Sequence, residues 1–114
     1  MKAPAQAFGA LAIVSLFWIA VFGADVNTSG AALYEKNCAS CHATDGTGNA
    51  NAKKKMSVPN LLNKQFVEMS DKDMFETIAR GKDHREYPHT YLYMGMNEQQ
   101  IQDIVAHIRK LQKK

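Results

Sequence analysis

Cysteine is scarce in this chain: Cys38 and Cys41 are the only two. They leave no disulfide framework to staple a small fold and no four-cysteine zinc site. An excess of one charge is missing as well. Lys and Arg number 14 against 11 Asp and Glu, a net of +3, which is not the basic footprint of a nucleic-acid binder. No stretch shows convincing strand alternation, so the βαβ context that a thioredoxin-like dithiol needs is lacking. The 114 residues include one N-terminal apolar run, leaving room for a single small domain of about 85 residues. A domain of that size buries only roughly 60% of its unfolded surface. It is short of core unless something besides protein fills it.

What is present is Cys38-Ala39-Ser40-Cys41-His42. C-x-x-C-H is the attachment signal for a c-type haem, in which two thiols add to the haem vinyl groups and the adjacent imidazole binds iron. The spacing has a physical reason. Two intervening residues make one tight turn that aims both sulfurs at one porphyrin edge, and the next side chain falls under the metal. C-x-x-C alone also fits a redox dithiol or half of a zinc site. His84, His89 and His107 form no close pair that would complete a zinc site. The motif therefore predicts one covalent haem c held by Cys38 and Cys41, with His42 as the proximal iron ligand.

An export segment precedes the motif. Lys2 is followed by an uncharged run, densest over the 18 residues 7–24 (AFGALAIVSLFWIAVFGA). That is longer than the apolar core of a typical signal peptide and close to the roughly 20 residues that cross a bilayer. A cut after Ala24 would place Phe22 where a small residue is wanted; a cut after Gly23, with Val21 there, is acceptable. Residues 1–24 are expected to be a signal anchor or a cleaved signal peptide, the anchor fitting better. Residues 25–29 make a polar tether, and 30–114 the haem domain. Haem c is attached outside the energy-conserving membrane, so the periplasmic side of a bacterial inner membrane is the expected location, anchored or soluble. Loss of Lys2 with the leading segment leaves 13 basic against 11 acidic residues, and two haem propionates bring the total near zero.

The domain reads as all-α. Thr28 or Ser29 can cap a first helix running from Gly30 to Asn37 into the haem turn, with Leu33 and Tyr34 toward the core. Asp45, Gly46 and Gly48 make a turn, and residues 49–55 (NANAKKK) read as a polar loop. Its lysine triplet reads as solvated surface more readily than as a docking patch for an acidic partner. Pro59 keeps a carbonyl acceptor that could orient His42 through its second ring nitrogen. Phe66 begins or precedes a short helix. Ser70 caps another over 71–80, where Asp71 and Asp73 suit the positive end and Gly81 the stop. Residues 83–95 read as an ordered aromatic loop covering the far side of the iron. Asn97 and Gln100 form a capping box for the last helix, whose Ile101, Ile104, Val105, Ile108 and Leu111 recur at helical spacing.

These landmarks resemble class I c-type cytochromes over about Gly30 to Leu111: Gly30-x-x-Leu33-Tyr34, the haem pentapeptide, Asp45-Gly46-x-Gly48, Pro59-x-Leu61, Ile78-x-x-Gly81-Lys82 and the terminal Val105-Ala106-His107-Ile108-Arg109. The resemblance implies the small cytochrome c fold, with first and last helices crossing near Gly30, an exposed haem edge for electron exchange, and Pro59 orienting His42. The chain departs from the family twice. His107 stands where the last helix usually has an aromatic, and its position implies packing on the first helix. The family's methionine ligand, expected about seven residues before the apolar residue that opens the last helix, is also missing. Met96 holds that apolar position, and seven residues before it stands His89.

His89 therefore ranks first as distal ligand. Met94 is the alternative, with the usual thioether but little loop to reach the metal; Met96, His84 and Tyr87 follow. A thioether raises a haem potential, whereas a second imidazole generally lowers it. With both axial positions filled, one-electron transfer between respiratory or photosynthetic redox proteins is the expected function, a carrier and not an enzyme. One other reading is a haem that binds a small gas or anion. Another is an anchored subunit of a larger electron-transfer complex, its apolar segment packed through small residues such as Gly9, Ala12 and Ser15. Expected partners are redox proteins, and the membrane through residues 7–24 if they are retained, with no nucleic acid.

Overall fold

The computed structural model describes residues 1–5, 29–82 and 89–114. The apolar run over 7–24, most of the tether, and His84, Tyr87 and Pro88 lie outside the described residues. Six helices and no strand occur among the described residues: α1 Gly30–Asn37, α2 Ala39–His42, α3 Ala50–Met56, α4 Lys64–Val67, α5 Asp71–Arg80 and α6 Glu98–Gln112. None of them is long and apolar enough to cross a membrane. The all-α expectation holds for this part of the chain.

Helix ends follow local chemistry. The Ser29 side chain accepts the Ala32 amide at 3.2 Å and starts α1. The Ser70 hydroxyl accepts the Asp73 amide at 3.0 Å to start α5, and Gly81, at φ 73°, turns the chain out of it. A side chain with a Cβ would be strained in that left-handed conformation. Asn97 and Gln100 form the reciprocal capping box that opens α6. Each such cap is worth about 1 kcal/mol.

One stretch differs from its sequence reading. Residues 50–56 are the helix α3 rather than a polar loop. The Asn49 side chain accepts the amides of Asn51 at 2.9 Å and Ala52 at 3.3 Å, Ala52 is buried, and three lysines occupy the last turn, where the helix dipole favours positive charge. Cap, alanines and lysines all favour a helix, and polarity conceals it.

α6 is the central packing element, with α1 and α5 both laid against it. Its Ile101 and Ile104 are wholly buried, as is Ala79 from α5, and Tyr34 from α1 is 1% exposed. Burial of each isoleucine contributes about 1.5–3 kcal/mol. α1 crosses α6 at Gly30, where a Cβ would stand 2.1 Å from the Asp103 carbonyl oxygen. Only glycine permits that approach, so the crossing implied by the family resemblance is in place. The far end of α6 holds the segment between α3 and α5. The Arg109 guanidinium donates to the carbonyls of Phe66 at 3.0 Å, Val67 at 3.3 Å and Met69, and to the Asp71 carboxylate at 2.7 Å. Gln112 donates to the Leu61 carbonyl at 2.8 Å. The segment pinned in this way supplies one wall of a cavity.

Candidate haem site

The proximal half of the site is a continuation of α1. Its last turn ends at Cys38, whose amide donates to the Tyr34 carbonyl at 2.8 Å; the Cys38 carbonyl then accepts the amides of Cys41 at 3.1 Å and His42 at 2.8 Å. The resulting single turn, α2, puts both sulfurs and the imidazole in one short segment. Its exposed carbonyls are satisfied from downstream, Gly48 donating to His42 and Asn49 to Cys41, each at 2.8 Å. The Tyr34 hydroxyl donates to the Ala43 carbonyl at 2.8 Å, fixing the exit from the turn. Burial, then the neighbouring Cys41, pushes the Cys38 thiol up to about 12. Such surroundings disfavour a thiolate and suit a neutral thioether.

His42 faces a cavity whose walls include Cys38, Pro59, Leu61, Phe66, Met69, Met74, Ile78, His89 and Tyr91. A second space lies beside Cys41, Met56, Val58 and Pro59, and His42 and His89 border it too. The lining is thus largely apolar, with two imidazoles and two thiols as its chemistry. The rings of His42 and His89 lie 6.0 Å apart between centres, 28° from parallel. Two imidazoles bound to one metal from opposite sides, each at about 2.0 Å, have ring centres roughly 6 Å apart. The residues present therefore fit a haem: sulfurs for its edge, apolar walls for its faces, and imidazoles of a kind that could bind its iron.

The other residues singled out from sequence are placed as follows. Pro59 borders both spaces with His42. Met94 is 71% exposed and lies away from the cavity. The amides of Tyr93 and Met94 donate to the Thr90 carbonyl, and Gly95 at φ 93° turns the chain back so that the Met96 amide meets the Tyr91 carbonyl at 3.0 Å. That turn directs Met94 outward and leaves Met96 packed on the core. His107 lies against Tyr34 on α1, ring centres 5.1 Å apart, and plays no part in the cavity.

Two residues gain a weight that sequence reasoning did not give them. Arg109 enters the sequence reading only as the end of the terminal landmark, yet it clamps the cavity wall through the carbonyls of Phe66, Val67 and Met69. Tyr91 lines the cavity beside His89, with ring centres 5.9 Å apart. The available sequence signal is spacing: in an extended segment, residues two apart face the same way.

A family model for cytochrome c matches residues 28–112. A comparison with curated proteins finds no match. The matched span is 85 of the 114 residues and contains the whole constellation just described. The chain belongs to the cytochrome c family of haem-based electron carriers and binds one covalent haem c, for which Cys38 and Cys41 are the matching cysteines.

Proposed function

We propose that this cytochrome carries single electrons between redox proteins of a respiratory or photosynthetic chain on the periplasmic side of a bacterial inner membrane, with its iron held between His42 and His89. The observation that carries the ligand assignment is the His42–His89 pair, near-parallel and 6.0 Å apart on one cavity, together with the exposure of Met94. Haem c supplies a reversible one-electron change at its iron. The chain's own residues do the rest. The two imidazoles would offer the same donor atoms in both oxidation states and would leave no coordination position for a substrate. Leu61, Phe66, Met69 and Ile78 keep water from the cavity, and a second imidazole in place of a thioether sets a lower potential. Residues 1–24 export the domain 30–114 and, where retained, leave it tethered at the membrane through residues 25–29.

Optical and low-temperature EPR spectra of the ferric protein test the ligands. The expected wild-type spectrum is low-spin with two imidazoles, turning high-spin in His89→Ala and unchanged in Met94→Ala. A sulfur-to-iron charge-transfer band that vanishes in Met94→Ala overturns the assignment. A wild type already high-spin, with rapid carbon monoxide binding, points instead to a binding protein for small gases. Intact mass separates an anchored from a mobile carrier by the presence or loss of residues 1–24.

A further inference from the structure

Tyr91 meets three parts of the fold at once. Its hydroxyl donates to the Asn37 carbonyl at 3.0 Å, at the end of α1 and one residue before Cys38. Asn37 is itself anchored, its side-chain amide donating to the Leu33 carbonyl at 2.8 Å. The Tyr91 amide donates to Ile78 near the end of α5 at 3.3 Å, while its carbonyl accepts the amides of Met94 at 3.2 Å and Met96 at 3.0 Å. Its ring lies beside His89, 31° from coplanar and bordering the same cavity.

We propose that Tyr91 is a positioning residue for His89: its ring limits rotation of the distal imidazole, and its hydroxyl ties that imidazole to the segment carrying the haem thioethers. The inference rests on the reading of His89 as distal ligand. Tyr91 is joined to the attachment segment by a side chain and to α5 by its backbone, so the distance across the cavity is fixed from two directions. Tyr34 supplies the matching bond on the other side, to Ala43, one residue after His42. The two tyrosines lose equal chemistry when changed to phenylalanine, but only one of them touches His89.

The test uses the full haem-loaded protein and two readouts: ferric EPR g values, which report imidazole orientation, and carbon monoxide affinity of the ferrous form, which reports how readily His89 is displaced. Tyr91→Phe is expected to shift the g values and raise carbon monoxide affinity about fivefold, the factor one ordinary hydrogen bond is worth. Tyr91→Leu, which also removes the ring, raises it further. His107→Phe, whose ring lies against Tyr34 and outside the cavity, leaves both readouts at wild-type values. Wild-type behaviour in both Tyr91 variants, or an equal response in His107→Phe, overturns the positioning role. A thioether charge-transfer band in the unmutated protein rejects His89 ligation itself; a bis-imidazole wild type with unresponsive Tyr91 variants rejects only the positioning role of Tyr91.

Discussion

The two sides of the cavity are built in different ways. On the His42 side, both thiols and the imidazole come from five consecutive residues, and their shape is set by backbone bonds that span only three to eight positions. On the His89 side, placement depends on distant groups: Tyr91 reaches back 54 positions to Asn37, and the amides of Tyr91 and Leu92 dock on the Ile78 and Ala79 carbonyls. A local turn can be written into a pentapeptide. A wall closed by long-range bonds inherits its geometry from the whole fold, so it is open to substitutions far from the iron.

Removing the local side is expected to have the largest effect. Cys38→Ala with Cys41→Ala leaves no sulfur to attach haem, and the apolar cavity between His42 and His89 then has no covalently held filling. Intact mass should lack the haem, and helical ellipticity and cooperative melting should both be lost. A double variant that folds like wild type without haem would show that α1, α5 and α6 suffice by themselves, and the contrast between the two sides would lose its energetic basis.

Next is the helix crossing that supports both sides. Gly30→Val drives a side chain into the Asp103 carbonyl, and forced separation of packed helices costs about 3 kcal/mol. Denaturant unfolding of the holoprotein measures it, and a cost below that of an ordinary surface change would mean that α1 can shift without loss. A smaller effect is expected at the distal wall. Arg109→Met removes the bonds to Phe66, Val67, Met69 and Asp71. With the guanidinium side chain 21% exposed, the loss should be about 2 kcal/mol. Arg109→Lys should restore only part of it, since an ammonium cannot reach several carbonyls as a planar fork does. Full rescue by lysine would reduce Arg109 to a point charge beside Asp71.

The same contrast explains what could be read from sequence. Ser29, Ser70, Gly81, Asn97 and Gln100 mark helix ends through contacts within four residues, and each sits at the position expected. The pentapeptide is legible for the same reason. α3 is obscured because Asn49, two alanines and three lysines look like a loop when polarity is weighed before capping. Arg109 declares a charge near a helix end, but its carbonyl partners lie 40 to 43 positions away and no local pattern announces them. Sequence spacing ranks His89 ahead of Met94, yet the outward turn of Met94 depends on the left-handed Gly95 and on hydrogen bonds to Thr90 and Tyr91.

The smallest expected effect concerns His107, which lies on the side of α6 that faces α1, remote from the cavity. Burial, followed by the positive charges of Lys110 and Lys114, lowers its pKa below the ordinary 6.5, with Glu35 opposing. The unfolded chain therefore takes up this proton before the folded one does as pH falls. His107 contributes its full stability above about 6.5, loses it as pH drops through the window between the unfolded and folded values, and changes nothing further below that. The exposed Asp45 and Asp73, whose pKa values are lowered first by hydrogen bonds from Thr47 and Lys82 respectively, lose their contributions only below the ordinary carboxylate range. His107→Phe keeps a ring against Tyr34 and removes the titration. Its melting temperature should fall less than that of wild type between pH 7.5 and pH 5, while the visible haem spectrum stays the same at both. Equal slopes would mean that Lys110, Lys114 and burial do not act on His107 as their positions imply. A spectrum that moves with His107 would carry the influence of α6 through Tyr34 and Ala43 to the His42 side, and that side would no longer be self-contained.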